Sequence, residues 1–288
     1  IFLRVFGHEV NGATGWIDIG IGQLQPSEFL KPFFVVAMAW LLSLREAGKS
    51  LPIFPMSALV TGAVAFLLMK QPDFGSTIIF GAVWIAMLGL AGVSLRVLGG
   101  LAVAGLVGIV LAYFFYDVAT ARIDGFLFGE GDNFQVQNAM RTLTAGGMFG
   151  MGPGAGTRKF GLPEPHTDYI FSVIGEEFGL IACLAIALLY LGIVARVLIK
   201  LLDEESSFAI LAAAGLVIQF GLQALINMAV NVQIAPSKGM TLPFISYGGS
   251  SMLALSIAMG LLLAFTRRNP YLTRSPYVVK WAGENIAR

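Results

Sequence analysis

The sequence predicts an all-α protein that crosses a membrane several times. Hydrophobic residues make up 57% of the 288 residues and charged residues only 12%, and the mean hydropathy is +0.80. Soluble domains have about a quarter of their residues charged, so this composition excludes a soluble fold. The apolar residues are also gathered into long uncharged runs. A membrane-spanning helix needs about 20 such residues, and most of the runs reach that length.

Seven uncharged runs follow one another along the chain, and we predict one transmembrane helix for each. They are Pro32–Leu44, Ser50–Met69, Phe74–Leu95, Val97–Tyr116, Phe178–Ala195, Ser206–Ser237 and Gly239–Thr266. The first run is short, and it reaches spanning length if Pro26–Lys31 lies at the membrane interface. The chain begins with Ile1 rather than methionine. We therefore expect residues 1–288 to be a single membrane domain that lacks its N-terminal part.

The positions of lysine and arginine predict which connections face the cytoplasm, because cytoplasmic loops carry an excess of both. One set of connections and the C-terminal tail hold Arg45, Lys49, Arg96, Arg196, Lys200, Arg267, Arg268, Arg274, Lys280 and Arg288. On the opposite side, most basic residues lie in one long loop or inside motifs at the edges of the runs. We therefore expect the loop 117–168 and the segment 234–250 to face outward.

The loop 117–168 has the composition of a folded segment. It holds ten of the 35 glycines together with six acidic and four basic residues. Within it, Asn133–Ala145 has apolar residues at helical spacing, which predicts a short amphipathic helix ending at Gly146-Gly147. Ordered loops of such length are usually functional. The sequence therefore predicts one long structured loop outside the membrane.

A glycine-rich stretch in this loop, Gly146–Gly156, is followed by Thr157, Arg158 and Lys159. It is not a nucleotide-binding loop, because no glycine directly precedes a lysine that is followed by serine or threonine. Its backbone amides and the two cations could still bind a phosphate group. The alternative is a flexible turn whose basic pair meets anionic lipid headgroups. The sequence leaves both interpretations open.

Polar residues also cluster at the edges of the predicted spans. Glu28 and Lys31 lie one helical turn apart, where they can form a structural ion pair or line a cavity. Residues 71–75 and 238–251 have the composition of broken or re-entrant backbone, which is tolerated in a membrane only inside the protein or beside water. Four amides favour packing between helices, and these are Gln219, Gln223, Asn227 and Asn231.

The most informative stretch precedes the fifth run, where Glu164, His166 and Asp168 stand close together. Removing a charge from water costs several kcal/mol, so ionisable groups beside a membrane span generally serve a function. A carboxylate near a histidine and a basic glycine-rich loop suggests chemistry on a lipid-linked substrate. Cys183, the single cysteine, lies inside an apolar run, which excludes a disulfide within the chain.

Four motifs in this chain resemble those of the SEDS family, the FtsW/RodA/SpoVE group. They are QPSEFLK at 25–31, QPDFGS at 71–76, LPEPHTDYIFSVIGEEFG at 162–179 and GMTLPFISYGGSS at 239–251. They occur in the family's order along essentially the whole chain. Family members have about ten spans, so the chain resembles the last seven. Gly175-Glu176-Glu177 and Lys238 are more similar to the cell-division branch of the family than to its elongation branch.

The resemblance implies an enzyme that polymerises lipid II outside the cytoplasmic membrane into the glycan strands of peptidoglycan. It implies that Asp168 is the catalytic carboxylate, the general base that deprotonates the acceptor sugar hydroxyl. Positive charge must stabilise the departing lipid diphosphate. The candidate substrate-binding residues are Arg141, Arg158 and Lys159 for the diphosphate, Glu28 and Lys31 for the cavity, and Glu164, His166, Thr167, Lys238 and Ser246 around the reacting groups.

The same resemblance implies a divalent cation, Mg²⁺ or Mn²⁺, and no organic cofactor, although no ligand cluster with recognisable spacing is present. The implied partners are lipid II, a class B penicillin-binding protein that crosslinks the strands, and other membrane proteins of the divisome. Nothing points to nucleic acid. The expected location is the bacterial inner membrane, at the division septum, with the active site facing outward.

Two other functions remain open from the sequence. A flippase for the same lipid-linked precursor would also use a carboxylate in a helical bundle, but near the bilayer midplane, whereas Asp168 lies at the outer rim. A scaffold that recruits a penicillin-binding protein without chemistry would not need the cluster from Glu164 to Asp168. We therefore expect the enzyme.

Overall fold

The structure, a computed structural model, describes residues 8–10, 13–18, 20, 23–45, 52–128, 133–236 and 239–267. Within these ranges the chain forms nine α-helices and a small antiparallel sheet. The helices are α1 Pro26–Ser43, α2 Ile53–Met69, α3 Phe74–Leu90, α4 Leu95–Phe115, α5 Asp117–Phe128, α6 Asn133–Ala145, α7 Ile170–Leu201, α8 Ser207–Asn231 and α9 Gly249–Thr266.

Each of the seven predicted runs overlaps one of these helices, α1–α4 and α7–α9, and the all-α membrane class is confirmed. Helix α7 begins eight residues before its run, and α9 begins ten residues after the start of its run. Four of the described helices, α4, α7, α8 and α9, are long and apolar enough to cross a membrane. The apolar helices α2 and α3 have 17 residues each, slightly below the length usually needed. The short helix α6 has the bounds that the sequence predicted.

A three-stranded sheet precedes α1, and the sequence did not predict it. The strands β1 His8–Val10, β2 Ala13–Asp18 and β3 Gln23–Leu24 pair in antiparallel order β1-β2-β3. The sheet packs against α1 and α9. It therefore contacts two helices that are distant in sequence.

Helix α8 lies at the centre of the bundle and packs against α1, α3, α7 and α9. Small residues make this close packing possible, since Ala212, Ala213 and Ala214 are buried and Gly215 meets two neighbouring helices. A Cβ on Gly215 would lie 2.6 Å from Cγ1 of Val35 and 3.0 Å from Sδ of Met87. In a membrane, where apolar groups gain little by leaving lipid, such close packing holds helices together.

Helix α7 is broken at Gly179, which has φ +83° and ψ 175°. In a continuous helix, the amides of residues 180 and 181 would donate to the carbonyls of residues 176 and 177. Here all four groups form hydrogen bonds with the glycine-rich segment instead. Leu180 N donates to Gly147 O at 3.0 Å, Ile181 N to Met148 O at 3.3 Å, Met151 N to Glu176 O at 2.9 Å and Gly152 N to Glu177 O at 3.0 Å. The break therefore leaves these backbone groups satisfied, as a membrane requires.

The end of α6 touches the backbone of α7. A Cβ on Gly146 would lie 2.0 Å from Gly175 O and 2.5 Å from Glu176 O, so only glycine fits. The predicted helix stop at Gly146 is therefore also the point where the long loop is fixed to α7.

Replacing Gly146 by alanine is expected to destabilise the protein by about 3 kcal/mol or more, because the methyl group would overlap backbone atoms that cannot turn away. Gly108→Ala in α4 is the matched control, since no atom lies within 4 Å of its added Cβ. Thermal unfolding in detergent measures both. Equal melting temperatures for the two variants would contradict this packing.

Candidate active site

The backbone before α7 is held at three consecutive carbonyls. The donors come from α8 and from the non-helical segment 239–248, whose broken backbone the sequence predicted. The bonds are Tyr247 N to His166 O at 2.8 Å, Ser246 Oγ to Thr167 O at 2.5 Å, and Asn227 Nδ2 and Asn231 Nδ2 to Asp168 O at 2.9 and 3.0 Å. The turn that carries the candidate residues is therefore fixed in place.

Asn227 and Asn231 each join two segments. The Asn231 side-chain oxygen accepts from Ser172 N at 3.1 Å and Ser172 Oγ at 2.6 Å. The Asn227 amide also donates to Met240 O at 2.6 Å. The sequence favoured simple packing for these amides. Asn227 and Asn231 are four residues apart near one end of a span, and this spacing was the available signal that both side chains lie on the same helix face and bind the same segment.

The Asp168 carboxylate is left open by these contacts. The hydrogen bonds found for Asp168 among the described residues go to its backbone carbonyl. Its Oδ2 lies beside Gly239, where an added Cβ would be 3.4 Å away. The side chain is therefore held through its backbone while its oxygens stay available to a ligand.

The pKa of Asp168 is raised to about 7, mainly because burial disfavours its charged form. The nearby Glu164 carboxylate raises it further, and the Arg122 guanidinium lowers it. A carboxylate with a pKa near the working pH can accept a proton in one step and release it in the next. Such a shift beside an open carboxylate is typical of a catalytic base.

Glu164 and Thr167 lie in the same turn as Asp168. Thr167 Oγ1 donates to Glu164 Oε2 at 2.9 Å, and the amides of Thr167 and Tyr169 donate to Glu164 O. The His166 side chain is exposed. Ser246 is buried, and its hydroxyl donates to Thr167 O and accepts from the Leu242 amide. Of the predicted residues, Glu164, Thr167 and Asp168 are therefore brought together, and Ser246 supports their backbone.

The predicted phosphate-binding loop already holds an anion, the carboxylate of Glu176. The amides of Thr157, Arg158 and Lys159 donate to it at 2.9, 2.7 and 3.0 Å. The Lys159 ammonium pairs with Glu177. The sequence left anion binding open for the amides of the stretch 146–156, whereas the anion found here belongs to α7 and is bound by the three amides that follow that stretch. The side chains of Arg141 and Arg158 are exposed.

Glu28 and Lys31 form an ion pair inside the bundle, with side-chain exposures of 12% and 3%. Lys31 and Gln219 line a narrow crevice between α1, α3 and α8 that is too small to hold a water molecule. Gln219 precedes Asn227 by eight residues on α8, a rise of about 12 Å, so this pair lies at a different depth from the Asp168 turn. Lys238, another predicted substrate-binding residue, lies outside the described residues.

The expected divalent cation stays a prediction. In the described ranges, no group of three or more His, Cys, Asp or Glu side chains could hold a metal ion. These residues therefore do not supply a complete protein-held site. Mg²⁺ bound mainly through substrate phosphates needs only one or two carboxylates. In the turn before α7, Glu164 could supply one such carboxylate.

A family model for cell cycle proteins, FTSW_RODA_SPOVE, matches residues 1–271. The chain belongs to this family. Three curated relatives are each described as a probable peptidoglycan glycosyltransferase FtsW. The relative from Caulobacter vibrioides is 41% identical and is matched over 94% of this chain and 70% of its own length. Those from Methylococcus capsulatus and Aromatoleum aromaticum are 41% and 36% identical, each over 89% of this chain. The chain spans 67% and 65% of their lengths.

Two solved structures share the fold. A chain from a peptidoglycan synthase complex, studied for its coordination of polymerisation and crosslinking, aligns with a TM-score of 0.73 at 27% identity over 91% of this chain and 77% of its own. The rod shape determining protein RodA of Thermus thermophilus aligns with a TM-score of 0.65 at 27% identity, over 92% and 74%. Both comparisons agree with the family resemblance inferred from the four motifs.

The two charges near Asp168 should shift its pKa in opposite directions. Glu164→Gln removes a like charge and should lower the pKa below about 7, whereas Arg122→Gln removes an opposite charge and should raise it. The Asp168 carboxyl should therefore ionise at lower pH in the first variant and at higher pH in the second. Infrared difference spectra, with Asp168→Asn as the reference, measure the ionisation of this carboxyl as a function of pH. A pKa that rises in Glu164→Gln or falls in Arg122→Gln would refute the effects assigned to these two charges.

Asn231→Ala should lower the free energy of unfolding by about 1–3 kcal/mol, because it leaves the buried Ser172 hydroxyl without its acceptor and removes one of the two amide donors to the Asp168 carbonyl. Gln219→Leu is the matched control on the same helix. Gln219 Oε1 is buried and has no hydrogen-bond partner in the described structure, so its removal should cost less than about 1 kcal/mol. Denaturation in detergent compares the two. A larger loss for Gln219→Leu would be inconsistent with the role of Asn231.

Proposed function

We propose that this chain is a peptidoglycan glycosyltransferase that polymerises lipid II into glycan strands. The observation that carries the proposal is the Asp168 carboxylate, whose pKa is about 7 while its backbone carbonyl is held by two buried amides. A fixed carboxylate that is partly ionised at neutral pH suits proton transfer from a sugar hydroxyl. The names of the curated relatives support the same activity.

In the proposed reaction, Asp168 takes the proton from the 4-hydroxyl of the acceptor sugar. The hydroxyl oxygen attacks the anomeric carbon of the donor, and the bond from that carbon to the lipid diphosphate breaks with inversion. The diphosphate leaves as an anion with the bonding electrons. Asp168 then releases its proton to water. One carboxylate suffices, because the diphosphate leaves without being protonated.

The exposed side chains of Arg141 and Arg158 are the candidates for stabilising the departing diphosphate. Lys159 is a weaker candidate, because Glu177 already pairs with its ammonium group. The divalent cation inferred from the family would add positive charge at the diphosphate. No step above depends on it.

A class B penicillin-binding protein is the proposed partner, since strands made here must be crosslinked. The similarity to a chain of a peptidoglycan synthase complex supports such an assembly. The FtsW description of the relatives favours the division septum and the divisome as the setting. The proposed site faces the outer side of the cytoplasmic membrane, where lipid II presents its sugars after export.

One observation favours the flippase as a second candidate. Lys31 is buried in the bundle next to Gln219, whose side-chain oxygen is buried without a hydrogen-bond partner in the described ranges. Polar groups at that depth are typical of transport pathways. The Asp168 turn is not explained by transport, so we give the enzyme precedence.

Asp168→Asn should lower polymerisation by about a hundredfold or more, because the amide cannot act as a base. The full-length protein that contains this chain would be reconstituted with its penicillin-binding partner and labelled lipid II, and strands read on a gel. Wild-type activity should rise with pH through about 7 and then level off, as Asp168 ionises.

Asp203→Asn, in the connection between α7 and α8, serves as the matched control and should retain activity. Equal polymer from wild type and Asp168→Asn would refute the role of Asp168. Lipid II that crosses liposome membranes without polymer formation would establish the flippase instead.

A further inference from the structure

Glu176 is a buried charge that the proposed reaction does not use. Its side chain is fully buried, in the first part of α7. Oε1 accepts from the amides of Thr157 and Arg158, and Oε2 accepts from the amide of Lys159. Three successive amides that converge on one carboxylate form an anion-binding concavity. These bonds offset the cost of burying the charge.

The residue before this concavity leaves room for the carboxylate. A Cβ on Gly156 would lie 2.7 Å from Glu176 Oε2 and 2.8 Å from its Cδ. Gly161, at the other end of the same segment, has no atom within 4 Å of an added Cβ. An alanine at 156 would therefore displace the Glu176 carboxylate, whereas an alanine at 161 would displace nothing.

The segment held by Glu176 leads directly into the candidate active site. Residues 158–161 form a 3₁₀ turn, and Leu162 follows it. Leu162 is buried in a cluster with Ala139 and Val173. Glu164, two residues after Leu162, begins the turn that contains Asp168. The contacts from α8 and from 239–248 fix this turn from residue 166 onward, and Thr167 and Tyr169 hold Glu164 within it. The backbone that enters the turn before residue 164 is held by Glu176 and Leu162.

We propose that Glu176 is a positioning residue for the Asp168 site. Its carboxylate fixes the backbone of residues 157–159, and through that backbone it fixes the start of the turn that presents Asp168. It does not touch the substrate. The activity part of this inference rests on the proposed glycosyltransferase function, whereas the structural part does not.

Glu176→Gln is the informative variant, because it keeps the shape but replaces one accepting oxygen by an NH₂ group that faces an amide donor. Amide hydrogen exchange should show residues 157–159 exchanging about tenfold to a hundredfold faster, as expected for a lost charge-assisted hydrogen bond. Glu177→Gln is the matched control. It removes the adjacent charge and the Lys159 pair but leaves the three amides bound, so exchange should change less than about threefold.

In the polymerisation assay, Glu176→Gln should lower kcat about tenfold or more and leave KM within about twofold. The groups that it displaces, the Asp168 base and Arg158 beside the departing diphosphate, act mainly in the transition state. Glu177→Gln should keep kcat within about threefold. Gly156→Ala should reproduce the effects of Glu176→Gln because it displaces the same carboxylate, whereas Gly161→Ala should behave as wild type. If Glu176→Gln fails to fold, the comparison of Gly156→Ala with Gly161→Ala still tests the proposal.

Unchanged exchange at residues 157–159 in Glu176→Gln would overturn the proposal. So would faster exchange with unchanged kcat, because the reaction would then not depend on the segment. A raised KM with unchanged kcat would overturn it too, by assigning Glu176 to substrate binding. Absence of polymer from the wild type would overturn the proposed function alone. The exchange comparison would still decide whether Glu176 holds the segment.

Discussion

The structure depends on one constraint. Where a helix is interrupted within or beside the membrane, the backbone N–H and C=O groups that lose their helical partners need other partners inside the protein. The break at Gly179 in α7 meets it through hydrogen bonds with the segment 147–152. The segment 239–248 meets it through bonds to the turn before α7 and to the amides of α8. The segment 147–152 of the long loop is therefore part of the bundle, because it pairs with the backbone groups freed at the break in α7. The segment 239–248 is part of the bundle as well, because it pairs with the turn before α7.

At the candidate site, the groups that hold the backbone in place are different from the side chain that we expect to react. The turn from Glu164 to Asp168 is held through backbone carbonyls, so its rigidity does not consume the side chain of Asp168. A carboxylate that spent its oxygens on structural hydrogen bonds would be stabilised in its charged form and would be a weak base. Here burial and the neighbouring Glu164 have the opposite effect and raise its pKa.

Charged groups inside the molecule follow a second rule, that a buried charge is tolerated only with partners. Glu28 pairs with Lys31, Glu177 pairs with Lys159, and Glu176 is bound by three amides. These pairs change the sequence interpretation of Lys159, whose charge is partly committed within the protein. The exposed side chains of Arg141 and Arg158 are more available to a diphosphate.

The sequence by itself determined the class, the seven apolar helices and the bounds of α6, because hydrophobic length and period are local properties. The cost of ionisable groups beside a span also pointed to the cluster from Glu164 to Asp168, and the family resemblance then singled out Asp168. Tertiary structure alone decided the break at Gly179, the anion held by residues 157–159, the role of Asn227 and Asn231 and the raised pKa of Asp168. Each of these depends on which distant backbone or charge lies within a few ångströms. No local pattern encodes that distance, and the short sheet before α1 was missed for the same reason.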